Sequence, residues 1–289
     1  MFKTLVIGID DRADNHEALT LARRLADPGA RLVAAQITPI DANPGAETTL
    51  YFDAEAVRET ERSARRFGRA HEDLEVITET APSPGEGLRA VAQRLGADVI
   101  VVGSSLRGLL GRVFAGDDVL GTIRHAPCAV AVAPLGYTEP QGPLGRIVVG
   151  HDGTAAADAA LKRAAELRLR DDCEVEVIDV VERAVSVVAG VHGTYAGVAA
   201  PDELESARVN VSLLEQRTGV AGEILSGDAA DVLSHAARTS DLLAIGLQHR
   251  GRLDRLLHGS AAHALLREQT TPLLIVPALD GPGPRATAS

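Results

Sequence analysis

The sequence repeats itself at a spacing of 142 to 145 residues. Asp10 corresponds to Asp152, Gly103 to Gly246, Gly116 to Gly259, Pro127 to Pro272 and Pro134 to Pro277. Five landmarks of different chemistry stay in register only if whole domains are duplicated. The period is domain-sized, far beyond that of a solenoid repeat. Any fold must therefore be built from about half the chain, and built twice. Between the copies lies Gly136-Tyr-Thr-Glu-Pro-Gln-Gly-Pro-Leu-Gly145, whose Pro and Gly content marks a linker. The expected domains are 1–136 and 146–279, with a linker at 137–145. A tail at 280–289, without apolar periodicity, is expected to be disordered.

Each copy alternates two kinds of periodicity. In the first, Leu5 to Ile9 is a short apolar run ending at Asp10, which reads as a buried strand. His16 to Ala26 carries Ala18, Leu19, Leu21, Ala22 and Leu25 on one helical face. Pro28-Gly29 ends that helix. Strands are expected at 31–37, 74–80, 99–102 and 129–132, and helices at 54–70, 88–95 and 118–125. The second copy restarts with Arg146 to Gly150, then His151-Asp152. Strands follow at 174–180, 222–225, 242–245 and 273–276, with helices at 156–167, 202–218, 230–239 and 261–267. Five strands alternating with helices imply a parallel sheet covered on both faces. The fold class expected is α/β: two fused doubly wound domains, each a five-stranded parallel sheet. In such sheets a ligand sits outside the carboxyl ends of the strands, where strand order reverses. Asp10, Asp152, Gly103 and Gly246 all end strands there.

Composition narrows the function. Apolar residues make up 45% of the chain, enough for real cores, but aromatics are 2% and Trp is absent. The cores must be built from Val, Leu, Ile and Ala. A formal net charge of −11 argues against nucleic acid or an anionic membrane as the main partner. Cys128 and Cys173 have no metal-type spacing and read as small buried residues. The chain enters a strand almost at once, without a signal-peptide pattern or a span-length apolar run. A cytoplasmic protein is expected.

The chemistry-bearing stretch runs from Asp241 to Leu266. The strand 242–245 ends at Gly246, a Gly-, Arg- and His-rich loop follows, and Gly259-Ser260 opens a helical pattern. Unpaired N–H groups and the helix dipole favour an anion at such a terminus. Gly259 permits close approach of a ligand, and Ser260 can cap the helix or donate to phosphate. Neither a P-loop nor a Gly-x-Gly-x-x-Gly fingerprint is present.

Asp152-Gly-Thr, the Gly246 to Ser260 stretch, Asp10 with Gly103-Ser-Ser and Arg107-Gly108, and His125 to Pro134 together resemble the universal stress protein family. The resemblance covers nearly the whole chain as two fused copies. The family pattern is Gly-x-x-Gly, a nine-residue spacer, then Gly-Ser/Thr. Gly246, Gly259 and Ser260 match it, whereas His249 stands at the second Gly, with Gly251 close by. In the first copy Leu106 takes the second Gly position and Asp117 takes the Ser/Thr position.

By that resemblance, His151 and Asp152 border the adenosine of a bound ATP, which can carry Mg2+. Val180 packs on adenine, Ile245 and Gly246 line the pocket, and the backbone at Gly259, Ser260 and Ala261 holds the phosphates. Asp10, Gly103 and Gly116 are the counterparts in the first copy. Competing roles stand beside these: Asp152 as part of a helix cap, and Val180 as plain core. The function implied is a stress-response regulator that binds ATP in its C-terminal copy, with slow hydrolysis at most. No catalytic or metal-ligating residues are assigned. The alternatives are an adenine-nucleotide enzyme of related architecture and an interaction scaffold without nucleotide. Partners expected are adenine nucleotide, an unidentified regulatory protein and a homodimer of tandem chains.

Two structural expectations complete the reading. The apolar last strands, Ala129 to Val132 and Leu273 to Val276, are expected to pair as a pseudo-dimer within one chain. The loops Pro39 to Ala54 and Val187 to Ala200 are expected to act as lids that order on nucleotide binding.

Overall fold

The computed structural model describes residues 2–10, 16–40, 54–103, 123, 125–138, 142–181, 201–247 and 270–277. The chain divides into two compact units, Met1–Gly142 and Pro143–Ala278. The expected helices at 118–125 (all but Ile123 and His125) and 261–267 lie outside the described residues. So do the tail and nearly all of both loops expected to act as lids.

The first unit contains β1 (Thr4–Ile9), α1 (His16–Leu25), β2 (Arg31–Pro39), α2 (Ala54–Ala70), β3 (Glu75–Ala81), α3 (Pro84–Leu95), β4 (Val99–Gly103) and β5 (Ala129–Ala133). Its strands lie in the order β3-β2-β1-β4-β5, every pairing parallel. Strand β1 is central, and Leu5, Val6 and Ile7 are wholly buried. That is why the run reads as uniformly apolar: helices cover both faces. Helix α1 buries the predicted face, Ala18, Leu19, Leu21, Ala22 and Leu25.

The second unit contains β6 (Arg146–Gly150), α4 (Ala155–Asp171), β7 (Glu174–Val181), α5 (Pro201–Thr218), β8 (Gly222–Ser226), α6 (Ala229–Ala237), β9 (Leu242–Leu247) and β10 (Leu273–Pro277). Its order is β10-β9-β6-β7-β8, again all parallel. In both units the sheet reverses its strand order beside the first strand, between β1 and β4 and between β6 and β9. A crevice at the carboxyl ends follows from that reversal.

A matched clamp repeats in the two units. Asp98 accepts the N–H groups of Lys3 (2.7 Å) and Thr4 (2.9 Å) through Oδ2. Asp241 does the same for Gly145 (2.7 Å) and Arg146 (3.0 Å). Each aspartate also donates its own N–H to the first strand, Asp98 to Thr4 and Asp241 to Arg146, both at 2.8 Å. The start of the first strand is thereby tied to the start of the fourth.

Two helices differ from expectation by about a full turn. Helix α3 begins four residues before Leu88, because Ser83 caps it by accepting the N–H of Glu86 at 3.3 Å and Pro84 fits the first turn. Helix α4 runs four residues past Leu167, to a cap at Asp172 in the left-handed region (φ 56). Its added turn exposes Leu169 by 87%.

Candidate functional site

Strand β6 hands over to helix α4 through His151-Asp-Gly-Thr154, at the carboxyl end of the second sheet. The segment begins tied to the sheet, since His151 N–H donates to Ile178 O at 2.9 Å. Asp152 Oδ1 then accepts from the Thr154 hydroxyl (2.6 Å) and the Thr154 N–H (3.2 Å). Thr154 Oγ1 in turn accepts the N–H of Ala157 at 3.2 Å. Thr154 is therefore the helix cap, and Asp152 aims it. Gly153 between them has φ 79, and a Cβ there would stand 2.7 Å from Asn210 Nδ2 on α5. Both the dihedral and the space call for glycine.

His151 is only 6% exposed, so it underlies the turn rather than lining a mouth. Gly153 N–H donates to His151 Nδ1 at 3.2 Å. The proton therefore sits on Nε2, which faces Asp158 Oδ1 at 3.2 Å. Arg217, near the end of α5, donates to that same Oδ1 at 2.5 Å. A line of contacts thus runs Arg217–Asp158–His151–Gly153. Asp158 and Arg217 were not singled out from sequence; Asp158 is one acid in a first helical turn, and Arg217 lies 59 residues away.

The other candidates are placed as follows. Val180, 6% exposed, lies near the end of β7 in register with Leu225. Ile245 is wholly buried in β9, and its Cγ2 would lie 3.2 Å from a Cβ on Gly150. Its side chain therefore belongs to the core. At Gly246 a Cβ would stand 2.2 Å from both Ala156 C and Ala157 N. This glycine lets α4 settle directly on β9, a reason that needs no ligand. In the first unit Asp10 follows β1 and Gly103 ends β4. Gly116, Asp117, Gly259, Ser260 and Ala261 lie outside the described residues.

Buried polar residues also occupy a matched position that sequence reading passed over. Gln36 (4% exposed) and Asp179 (1%) each stand one residue beyond the β-sheet partner of Gly8 or Gly150. Gln36 Oε1 has no hydrogen-bond partner among the described residues. Polar atoms so buried are commonly satisfied by something. The signal was available: a Gln in Val-Ala-Ala-Gln-Ile and an Asp in Val-Ile-Asp-Val-Val interrupt otherwise apolar strands.

Among the described residues no cluster of three His, Cys, Asp or Glu could hold a metal ion. No helix among them is long and apolar enough to cross a membrane.

Comparison with known proteins agrees with the fold. Universal stress protein Rv2319c of Mycobacterium tuberculosis is 26% identical over 293 residues, spanning 95% of this chain and 99% of its own. Universal stress protein Mb2346c of Mycobacterium bovis matches to the same extent. Among solved structures, a universal stress protein from Archaeoglobus fulgidus superposes with a TM-score of 0.63 at 13% identity, covering 95% of this chain and 96% of that one. A putative universal stress protein from Pseudomonas aeruginosa gives 0.57 at 17% identity, covering 96% and 93%. These two likenesses speak to the fold. The universal stress protein family itself matches twice, over residues 1–134 and 143–277. The chain belongs to the universal stress protein family, as a tandem of two copies.

Proposed function

We propose that this protein is a stress-response regulator whose second unit binds ATP at the carboxyl ends of β6, β7 and β9. Family membership supports the stress-response role. The observation that carries the nucleotide reading is the Asp152–Thr154 turn. It is fixed by its own hydrogen bonds beside the crevice between β6 and β9. The residues at this turn suit a nucleoside. Half-buried Asp152 supplies a carboxylate, and Val180, buried at the neighbouring strand end, would form part of the apolar base. The phosphates would be held by the backbone at Gly259, Ser260 and Ala261, and any Mg2+ would travel with them.

The two copies differ at the phosphate position. At the helix starts expected from sequence, Ser260 would leave the N–H groups accessible, whereas Asp117 would put a carboxylate at the matching place. Two like charges 4 Å apart repel by about 4 kcal/mol at an effective dielectric of 20. Half of that already weakens binding more than tenfold. One ATP per chain follows, held by the second unit. Mass spectrometry of ligand released from purified protein, then titration calorimetry of wild type, Ser260→Asp and Asp117→Ser, tests this. Ser260→Asp should abolish binding and Asp117→Ser should add a weak second site. Two equal sites in the wild type, or binding untouched by Ser260→Asp, would refute it.

A further inference from the structure

The second unit has a cleft of about 710 Å3 away from the crevice, between α4 and the end of α5. Its volume falls in the range of small-molecule sites. Leu161 and Val220 give it an apolar floor, and Leu169, 87% exposed, forms a lip. Lys162 and Arg168 line it and make no ion pair with any described residue. Arg217 and Asp158 form one wall, joined at 2.5 Å, and Asp172 also lines the cleft. Apolar floor, exposed apolar lip and unpaired cations together suit a ligand with an apolar body and one anionic group.

Asp158 also faces His151 Nε2 at 3.2 Å, and His151 Nδ1 holds the Gly153 N–H at 3.2 Å. The cleft wall is therefore two side chains away from the Asp152–Thr154 turn. We propose that this cleft binds a small amphipathic anion and that its occupancy tightens the turn through Asp158 and His151. An anion on Arg217 competes with Asp158 for the guanidinium. Released from that pair, the Asp158 carboxylate becomes the stronger acceptor for His151 Nε2–H. Polarisation along the chain then strengthens the Gly153 N–H bond to Nδ1. A firmer turn binds nucleotide more tightly, and by reciprocity nucleotide raises affinity for the anion by the same factor. The coupling rests on the ATP reading above, whereas the cleft site itself does not.

The test uses 1-anilinonaphthalene-8-sulfonate, an apolar bicycle with one sulfonate, as probe. Fluorescence titration of the full chain without nucleotide should show binding that Leu169→Asp and Lys162→Glu each weaken about tenfold, a loss of ~1.4 kcal/mol. Neither variant should alter ATP affinity in the absence of probe. Saturating probe should raise ATP affinity about fivefold, the lower end of typical coupling. Arg217→Met should show that higher affinity without probe and no response to it. Probe binding indifferent to both cleft variants, or displaced by ATP, would overturn the site. Probe seated in the cleft with ATP affinity unchanged would overturn the coupling. If ATP fails to bind at all, the probe titration still decides the site. A probe-induced shift of the Gly153 amide resonance then decides the link to the turn: its presence supports the link and its absence removes it.

Discussion

Gly246 and Ala156 are packed backbone to backbone: a Cβ on Gly246 would stand 2.2 Å from the Ala156 carbonyl carbon and 2.5 Å from its oxygen. No side-chain rotation relieves such a clash. The first turn of α4 would have to lift off β9. Gly246→Ala should therefore destabilise the second unit by about 3 kcal/mol, the upper part of the range for overpacking. Gly8 is the control. Its added Cβ would meet the Leu88 side chain, nearest at 3.0 Å, and that side chain can yield. Gly8→Ala should cost less than about 1.5 kcal/mol. Equal losses in urea unfolding would contradict this account.

The paired clamps at Asp98 and Asp241 predict equal penalties. Each carboxylate takes two main-chain N–H groups at the start of a strand. Alanine at either position leaves both donors without that partner, which should cost about 2–3 kcal/mol. Asparagine keeps one acceptor oxygen without the charge and should recover about half of that loss. Denaturant midpoints of the four variants measure it. A clamp that matters in one unit and not the other would show that the copies no longer share this device.

Much of the fold was legible because the pattern was redundant. Buried runs such as Leu5 to Ile7 are apolar on both faces, and the same strand–helix order occurs twice. The start of α3 was obscured because Pro84, Gly85 and Gly87 weigh against helix in a local reading. The Ser83 to Glu86 capping pattern was the competing signal, and it prevailed. The end of α4 was hidden by an exposed leucine, Leu169, which breaks the apolar periodicity. At the site, periodicity put Asp152 just past β6, where it lies, whereas Gly246, expected to end its strand, lies inside β9 one residue before its end. The role of His151 was not legible. Its partners Asp158 and Arg217 come from two helices, and no spacing rule links them to the turn.

Cys173 should be inert in the folded protein. Burial, and secondarily the nearby Asp171 carboxylate, push its thiol above the usual cysteine range. Only the thiolate reacts with alkylating agents, so a raised pKa and 5% exposure both protect it. Iodoacetamide at pH 8 should leave Cys173 unmodified in native protein and label it once urea has unfolded the chain. Rapid native labelling, read by mass spectrometry, would count against the burial described.

Thr154 separates the structural role of the site turn from its binding role. Its hydroxyl donates to Asp152 at 2.6 Å and accepts from Ala157 N–H at 3.2 Å. Serine preserves both contacts, and valine removes both while keeping the shape. Thr154→Val should cost about 1–2 kcal/mol of stability, as loss of a cap does. It should also lower ATP affinity about tenfold, because Asp152 loses the shorter of its two hydrogen bonds from residue 154 and keeps only the main-chain one. Thr154→Ser should do neither. Asp152→Asn keeps an acceptor at Oδ1 and should hold stability within about 0.5 kcal/mol, as a change between two good turn residues. Calorimetry of ATP binding beside thermal unfolding separates the effects. If Thr154→Val lowers stability but leaves ATP affinity unchanged, the turn is a helix cap alone. The nucleotide reading would then lose the observation that carries it.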